Sequence, residues 1–366
     1  MVDPFELWRL AWASAVSRGF LRLADFIPGS IDRPEPLVPS DLPVFGRVRL
    51  DLATMQLLEE REPGGRQTTA ALIVAPFALH EASIADFAEA HSLAQALAEG
   101  GSGPLALTYW KSANADMRDF GIDVYLGDLN VAIDDLGGRV SLVGLCQGGW
   151  LAAAYAARFP AKVAKLALAG APIDLDAAPS DITRRLASIP SEMIANVVAL
   201  GGGRISGSLS VALWSGELSP EVTAEWALQS AGDPAMTARF RTWSLRTVDL
   251  PGAYFMQAAE WIFRENRLAR GRFIALGRPV ALSAISAPIF VLAAADDEVV
   301  PLAQATSVQS LCRPTRVETR VEPGRHLSLF MGRKIVGGAW RDIGRWLAEQ
   351  EGETVAPCRK RRRKRQ

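Results

Sequence analysis

The sequence predicts an α/β fold with a mostly parallel central sheet flanked by helices and a helical cap inserted between its two halves. Three observations carry this. Strand-like and helix-like segments alternate from Val48 onward. The alternation stops near Ile173 and resumes near Pro288, leaving about a hundred aromatic-rich residues without a convincing strand. Between these, the apolar run Val140–Leu145 breaks into a glycine-framed Cys146 and then turns helical, the layout of a nucleophile elbow.

Taken in order, Phe5, Trp8, Trp12, Ala15 and Phe20 fall at helical spacing with Arg9, Arg18 and Arg22 between them. They predict an amphipathic helix packed on its own domain, ahead of one lying on a lipid or polymer surface. A proline-rich connector, Pro28–Pro43, completes an N-terminal unit of residues 1–45. A first part of the core follows over 46–173, with strands expected at Val48–Met55, Ala70–Ala75, Leu105–Trp110, Val140–Leu145 and Lys165–Ala169. Helices are expected at Ile84–Ala98, Val124–Leu136 and Gly149–Arg158. The cap spans 174–287, and its Trp214, Trp226, Trp243, Tyr254, Phe255 and Trp261 form its own core, some of them lining an apolar substrate channel. The second part of the core, 288–350, contributes strands Ile289–Ala295 and Arg316–Val321. Residues 351–366 form a basic, self-repelling tail read as solvated, with no specific nucleic-acid role.

At the elbow, the glycines are steric requirements, because only residues without a Cβ let strand and helix approach on either side of a strained turn. Cys146 then projects from a strand's carboxyl end with its sulfur near a helix N-terminus, where thiolate is favoured. A thiolate needs a base, and the base needs an orienting carboxylate. Among three histidines, His326 follows the last expected strand; His80 and His91 precede the nucleophile, and His91 reads as structural. The loop Asp296-Asp297-Glu298-Val299-Val300-Pro301 supplies the acid, with Asp297 preferred and Asp296 in reserve. Two oxyanion donors are expected: the backbone N–H of Gln147, and one from the loop at Phe77 and Ala78. His80 and Glu81 in that loop stand near the expected entrance.

Composition narrows the function classes. With 40 basic and 40 acidic residues, the balance calls for no polyanionic partner. The three cysteines, at 146, 312 and 358, share no metal-ligand spacing and point to a reducing compartment. No apolar stretch reaches membrane-spanning length and no signal peptide is evident, so a cytoplasmic location is expected.

Ser92-Leu93 opening a helix, Tyr109-Trp110-Lys111 ending a strand, Ile122-Asp123-Val124-Tyr125 and the Gly-x-Cys-x-Gly-Gly box at Gly144–Gly149 recur in one known family. So do Asp297-Glu298-Val299-Val300-Pro301 and the late His326 followed by Gly332-Arg333. By these stretches, His91–Asp174 and Pro288–Leu347, the chain resembles the polyhydroxyalkanoate synthases, especially the short class that pairs with a second subunit. His326-Leu-Ser-Leu-Phe-Met-Gly332 is also similar to a segment of intracellular polyhydroxyalkanoate depolymerases. The chain departs from the synthases in carrying His80-Glu81 for an Asn-Lys pair, Glu298 for a histidine and Arg325 for a glycine. The resemblance implies an α/β-hydrolase core in which Cys146 carries the acyl chain, His326 activates the thiol and the incoming hydroxyl, and Asp297 assists it. It implies (R)-3-hydroxyacyl-coenzyme A or hydroxyacyl oligomers as substrate, with coenzyme A part of the substrate and no separate cofactor or metal. Its expected partners are a polymer granule surface or a second subunit, with a homodimer as a further state. A thiol-dependent hydrolase, as depolymerase, esterase or thioesterase, is the alternative. A binding protein without turnover is a third reading, opposed by the chain order Cys146, Asp297, His326.

Overall fold

The computed structural model describes residues 41–62, 69–214, 220–229, 233–312 and 316–349. The expected amphipathic segment Phe5–Phe26, the connector up to residue 40, Cys358 and the basic tail lie outside the described residues. Among the described residues one large sheet has eight strands: Phe45–Asp51 (β1), Met55–Glu60 (β2), Ala71–Val74 (β3), Leu105–Trp110 (β4), Val140–Leu145 (β5), Val163–Ala169 (β6), Ile289–Ala294 (β7) and Val317–Glu322 (β8). Their order is β1-β2-β4-β3-β5-β6-β7-β8. β1 and β2 are antiparallel to each other, and β2 to β4; every later neighbour pair is parallel. β3, β5, β6 and β7 are buried along their whole length. Strands covered on both faces need continuous apolar runs, which is why these stand out in the sequence as runs and not as alternation.

Because β3, β5, β6, β7 and β8 are parallel, their carboxyl ends share one edge of the sheet, the place where open α/β sheets collect functional loops. Helices flank the sheet: Leu93–Gly100 (α1), Ile122–Asp135 (α2) and Gln147–Arg158 (α3). Between β6 and β7 the chain leaves the sheet through Asp181–Ser188 (α4), Ser191–Leu200 (α5), Gly207–Trp214 (α6), Pro220–Leu228 (α7), Pro234–Leu245 (α8) and Gly252–Gln257 (α9). α9 widens into a π-helical stretch over Ala258–Arg264. The Asn266 side-chain amide clips the exit of this insertion to its return, donating to Asp174 (2.6 Å) and Asp176 (2.9 Å). Ser328–Met331 (α10) and Arg341–Ala348 (α11) close the fold, and α11 meets α1 where Gly100 and Gly344 let the backbones approach.

Three sequence expectations are corrected. The single strand Val48–Met55 is two strands, β1 and β2, because Thr54 turns the chain: its N–H and hydroxyl both donate to the Asp128 carboxylate on α2, at 2.9 and 2.8 Å. The helix Ile84–Ala98 is a short 3₁₀ turn, Ala82–Ala85, followed by α1 from Leu93. Buried Asp86 breaks it, accepting the Ser92 hydroxyl at 2.6 Å and the N–H of Val44 at 2.7 Å, while Ser92 caps α1 through the Gln95 N–H. The region expected to lack strands holds two short antiparallel pairs, Arg204–Ile205 with Leu250–Pro251 and Phe273–Ala275 with Arg278–Val280. Two or three residues are too short for a readable period.

Candidate active site

Cys146 is the single residue between β5 and α3, with φ 47° and ψ −115°. An L-residue is strained there, and the structure holds it by hydrogen bonds on both sides: its N–H donates to Ala169 O (2.9 Å) and its carbonyl accepts from Gly149 N (2.8 Å). The frame leaves no room for Cβ atoms. One on Gly144 would lie 2.6 Å from the Gly149 Cα, and one on Gly148 would collide with the Val74 and Ala75 carbonyls. Cys146 is half-buried, whereas Cys312 is buried in apolar surroundings that push its thiol up to about 12, an inert position.

Asp297 follows β7, and its Oδ1 accepts the N–H groups of Val299 (2.9 Å) and Val300 (2.7 Å). Both carboxylate oxygens lie at 2.9–3.0 Å from Nδ1 of His326, which follows β8. Both side chains are buried, at 1% and 6% exposure, which decides between the neighbouring acids: Asp296 is exposed and does not reach the ring. With Nδ1 engaged by Asp297, Nε2 is the ring nitrogen left to face the Cys146 thiol. Burial works to lower the imidazole's pKa, but the Asp297 carboxylate and the Cys146 sulfur outweigh it and hold the ring well above its ordinary 6.5.

This shift has a testable sign. A folded-state pKa above the unfolded one gives stability that is complete below pH 6.5 and is lost as pH rises through the folded value. Asp297→Asn should move the His326 titration downward and shrink the alkaline loss of stability. Imidazole NMR titration beside unfolding midpoints at neutral and alkaline pH checks this; an unmoved titration would contradict the pairing.

Cys146 and His326 open into a cavity of about 340 Å³. Its floor includes Gln147, Phe77 and Ala78, so the three expected oxyanion residues gather around the thiol, and His80 and Glu81 border the same space. The insertion roofs it with α4, α8 and α9. Of the aromatics expected along the channel, Trp243, Tyr254 and Phe255 border it. Trp226 lies instead under the Arg325 guanidinium (4.1 Å), and Trp261 packs edge-on to Phe273. Burial lowers His80 to about 4, so its ring is neutral against Trp243, at 4.4 Å. His91 is structural: its Nδ1 lies 2.7 Å from Met331 O, at the end of α10, which follows His326.

Two participants escape the sequence reading. Glu298 accepts the His326 backbone N–H at 3.2 Å. Gly170, at φ 51°, makes room for the imidazole, since a Cβ there would stand 3.2 Å from its Cε1. The only trace of the second is a run of small residues, Ala169-Gly170-Ala171, after a strand. Among the described residues no group of three His, Cys, Asp or Glu could hold a metal ion, and no helix is long and apolar enough to cross a membrane.

A family described as the alpha/beta hydrolase fold matches residues 100–332. The chain is 22% identical over 286 residues to the poly(3-hydroxyalkanoate) polymerase subunit PhaC of Haloferax mediterranei, covering 73% of this chain and 56% of that protein. It is 22% identical over 215 residues to the subunit of that name from Allochromatium vinosum, covering 58% and 60% respectively. The chain thus spans less than two thirds of the length of these curated relatives. Among solved structures, the monoacylglycerol lipase of Paleococcus ferrophilus is similar with a TM-score of 0.53 and 16% identity, over 80% of this chain and 98% of that one. That likeness is one of fold. With the family match extending from before α2 through the Cys146 elbow to Gly332, beyond His326, the chain belongs to the alpha/beta hydrolase fold family.

Proposed function

We propose that this chain is a polyhydroxyalkanoate synthase-like acyltransferase that uses Cys146, His326 and Asp297 on (R)-3-hydroxyacyl-coenzyme A thioesters. The observation that carries the reading is the buried Asp297–His326 pair, with His326 and Cys146 lining the same mostly apolar cavity under the insertion. The similarity to polymerase subunits supports the substrate class.

In this reading the Cys146 sulfur, its proton held on His326, attacks the thioester carbonyl. The carbon–sulfur bond to coenzyme A breaks, and His326 returns its proton to the departing thiolate. The negative oxygen formed on the way is stabilised by the N–H of Gln147 and an N–H at Phe77 or Ala78. The product is a thioester on Cys146, close in energy to the substrate, so the acyl group passes on readily. His326 then takes the proton of an incoming hydroxyl, whose oxygen attacks the Cys146 thioester, forming an ester and freeing the sulfur. The apolar roof favours transfer by excluding water. Coenzyme A enters as part of the substrate, and the partner in this reading is a second subunit, a polymer granule surface or a second copy of the chain.

The test is to supply purified protein with (R)-3-hydroxybutyryl-coenzyme A and follow both free coenzyme A and the acyl group, with Cys146→Ala in parallel. Coenzyme A release accompanied by oligomer, lost in the variant, is the expected result. Release yielding only free hydroxy acid would make the protein a thiol hydrolase, and release independent of Cys146 would refute the site.

A further inference from the structure

The cavity holds a polar group that the chemistry above does not use. Tyr254, on α9, is 3% exposed and borders the cavity. Its ring is fixed among aromatics: Phe77 edge-on at 5.1 Å, Tyr125 at 4.7 Å and Trp150 at 6.5 Å. No described residue hydrogen-bonds its hydroxyl. The neighbouring Tyr125 hydroxyl is also unpaired, but it is sealed in the interior, and Tyr125 does not reach the cavity. The Tyr254 hydroxyl, unlike that of Tyr125, is not sealed off, so within the cavity it can donate to an entering ligand. Burial also raises the Tyr254 pKa, so the group stays protonated and available as a donor.

Its position says which oxygen it meets. Tyr254 packs on Phe77, in the loop after β3, and on Trp150, whose indole N–H holds the Gln147 side chain at 2.6 Å. It therefore stands on the side of the oxyanion amides, while His326 stands against Phe330, at 5.2 Å. The thioester carbonyl already has its two amide donors. The next oxygen along a 3-hydroxyacyl chain is the one on C3.

We propose that Tyr254 donates a hydrogen bond to the C3 oxygen of the bound acyl group and so selects 3-hydroxyacyl over unsubstituted acyl thioesters. The proposal rests on the acyltransferase reading. Tyr254→Phe removes only the hydroxyl and fills the same space. The measurement is the rate of Cys146 acylation in a single turnover, followed by mass spectrometry, with (R)-3-hydroxybutyryl- and butyryl-coenzyme A.

Wild-type protein should acylate about tenfold faster with the hydroxyacyl thioester, and Tyr254→Phe should erase that preference by slowing this substrate alone. Equal slowing of both substrates would assign the hydroxyl to the carbonyl oxygen and overturn the proposal. So would an unchanged variant, or a wild type with no preference, the latter being a result that needs no variant to fold. Absence of acylation by either thioester in the wild type would remove the acyltransferase reading itself, and the proposal with it. Acylation without a Tyr254 effect would remove only the tyrosine's role.

Discussion

Cys146→Ala is expected to abolish thioester turnover, by about 10⁴-fold or more, while leaving the unfolding midpoint close to wild type. Alanine fits where the half-buried cysteine stands, so the fold loses little; the reaction loses its nucleophile. His326→Gln should be nearly as severe, since the thiol then has no base, and Asp297→Asn less so, because the acid orients the ring without touching substrate. If the residues act as one unit, the double variant Cys146→Ala/His326→Gln should be no slower than Cys146→Ala alone. Steady-state rates on (R)-3-hydroxybutyryl-coenzyme A with each variant decide this. An additive double variant would mean that His326 assists some step not involving Cys146, and an active Cys146→Ala protein would end the assignment.

The parts of this architecture readable in the sequence are those dictated by local sterics or by full burial. The Gly144–Gly149 frame is legible because each glycine answers a short-range collision, and β5 is legible because a strand covered on both faces must be apolar throughout. Asp297 and His326 are picked out by chain order, and the structure places them in direct contact. What stays hidden is decided by distant partners. The α1 start at Leu93 depends on Asp86 drawing in Ser92 together with Val44 and Phe45, whereas the apolar period from Ile84 reads as one helix. Which insertion aromatics face the cavity depends on helix packing: Trp243 and Tyr254 reach it and Trp226 does not, although nothing near them in sequence distinguishes the three. Gly170 is indistinct for the same reason, since the ring it accommodates lies 156 positions further along, at His326.

The sterics of the elbow can be tested apart from its chemistry at Gly148, whose missing side chain leaves room for β3. Gly148→Ala would drive a Cβ into the Val74 carbonyl oxygen and to 2.6 Å from that of Ala75, both backbone atoms at the end of β3. Neither can turn aside as a flexible side chain would. The conflict is relieved only by moving α3 away from β3, which shifts Gln147 relative to the Phe77 and Ala78 loop as well as loosening the core. The expected result is a loss of about 3 kcal/mol or more of stability, at the upper end of overpacking costs, together with loss of activity in whatever protein remains folded. Gly127, within α2, provides the contrast: a Cβ there meets nothing within 4 Å, so Gly127→Ala should raise stability by about 0.5–1 kcal/mol through helix propensity alone. Denaturant unfolding of the two variants beside wild type measures both signs in one experiment. A Gly148→Ala protein as stable and active as wild type would show that the gap between α3 and β3 is wider than the structure makes it, and that the glycine frame is not what holds Cys146 in its strained turn.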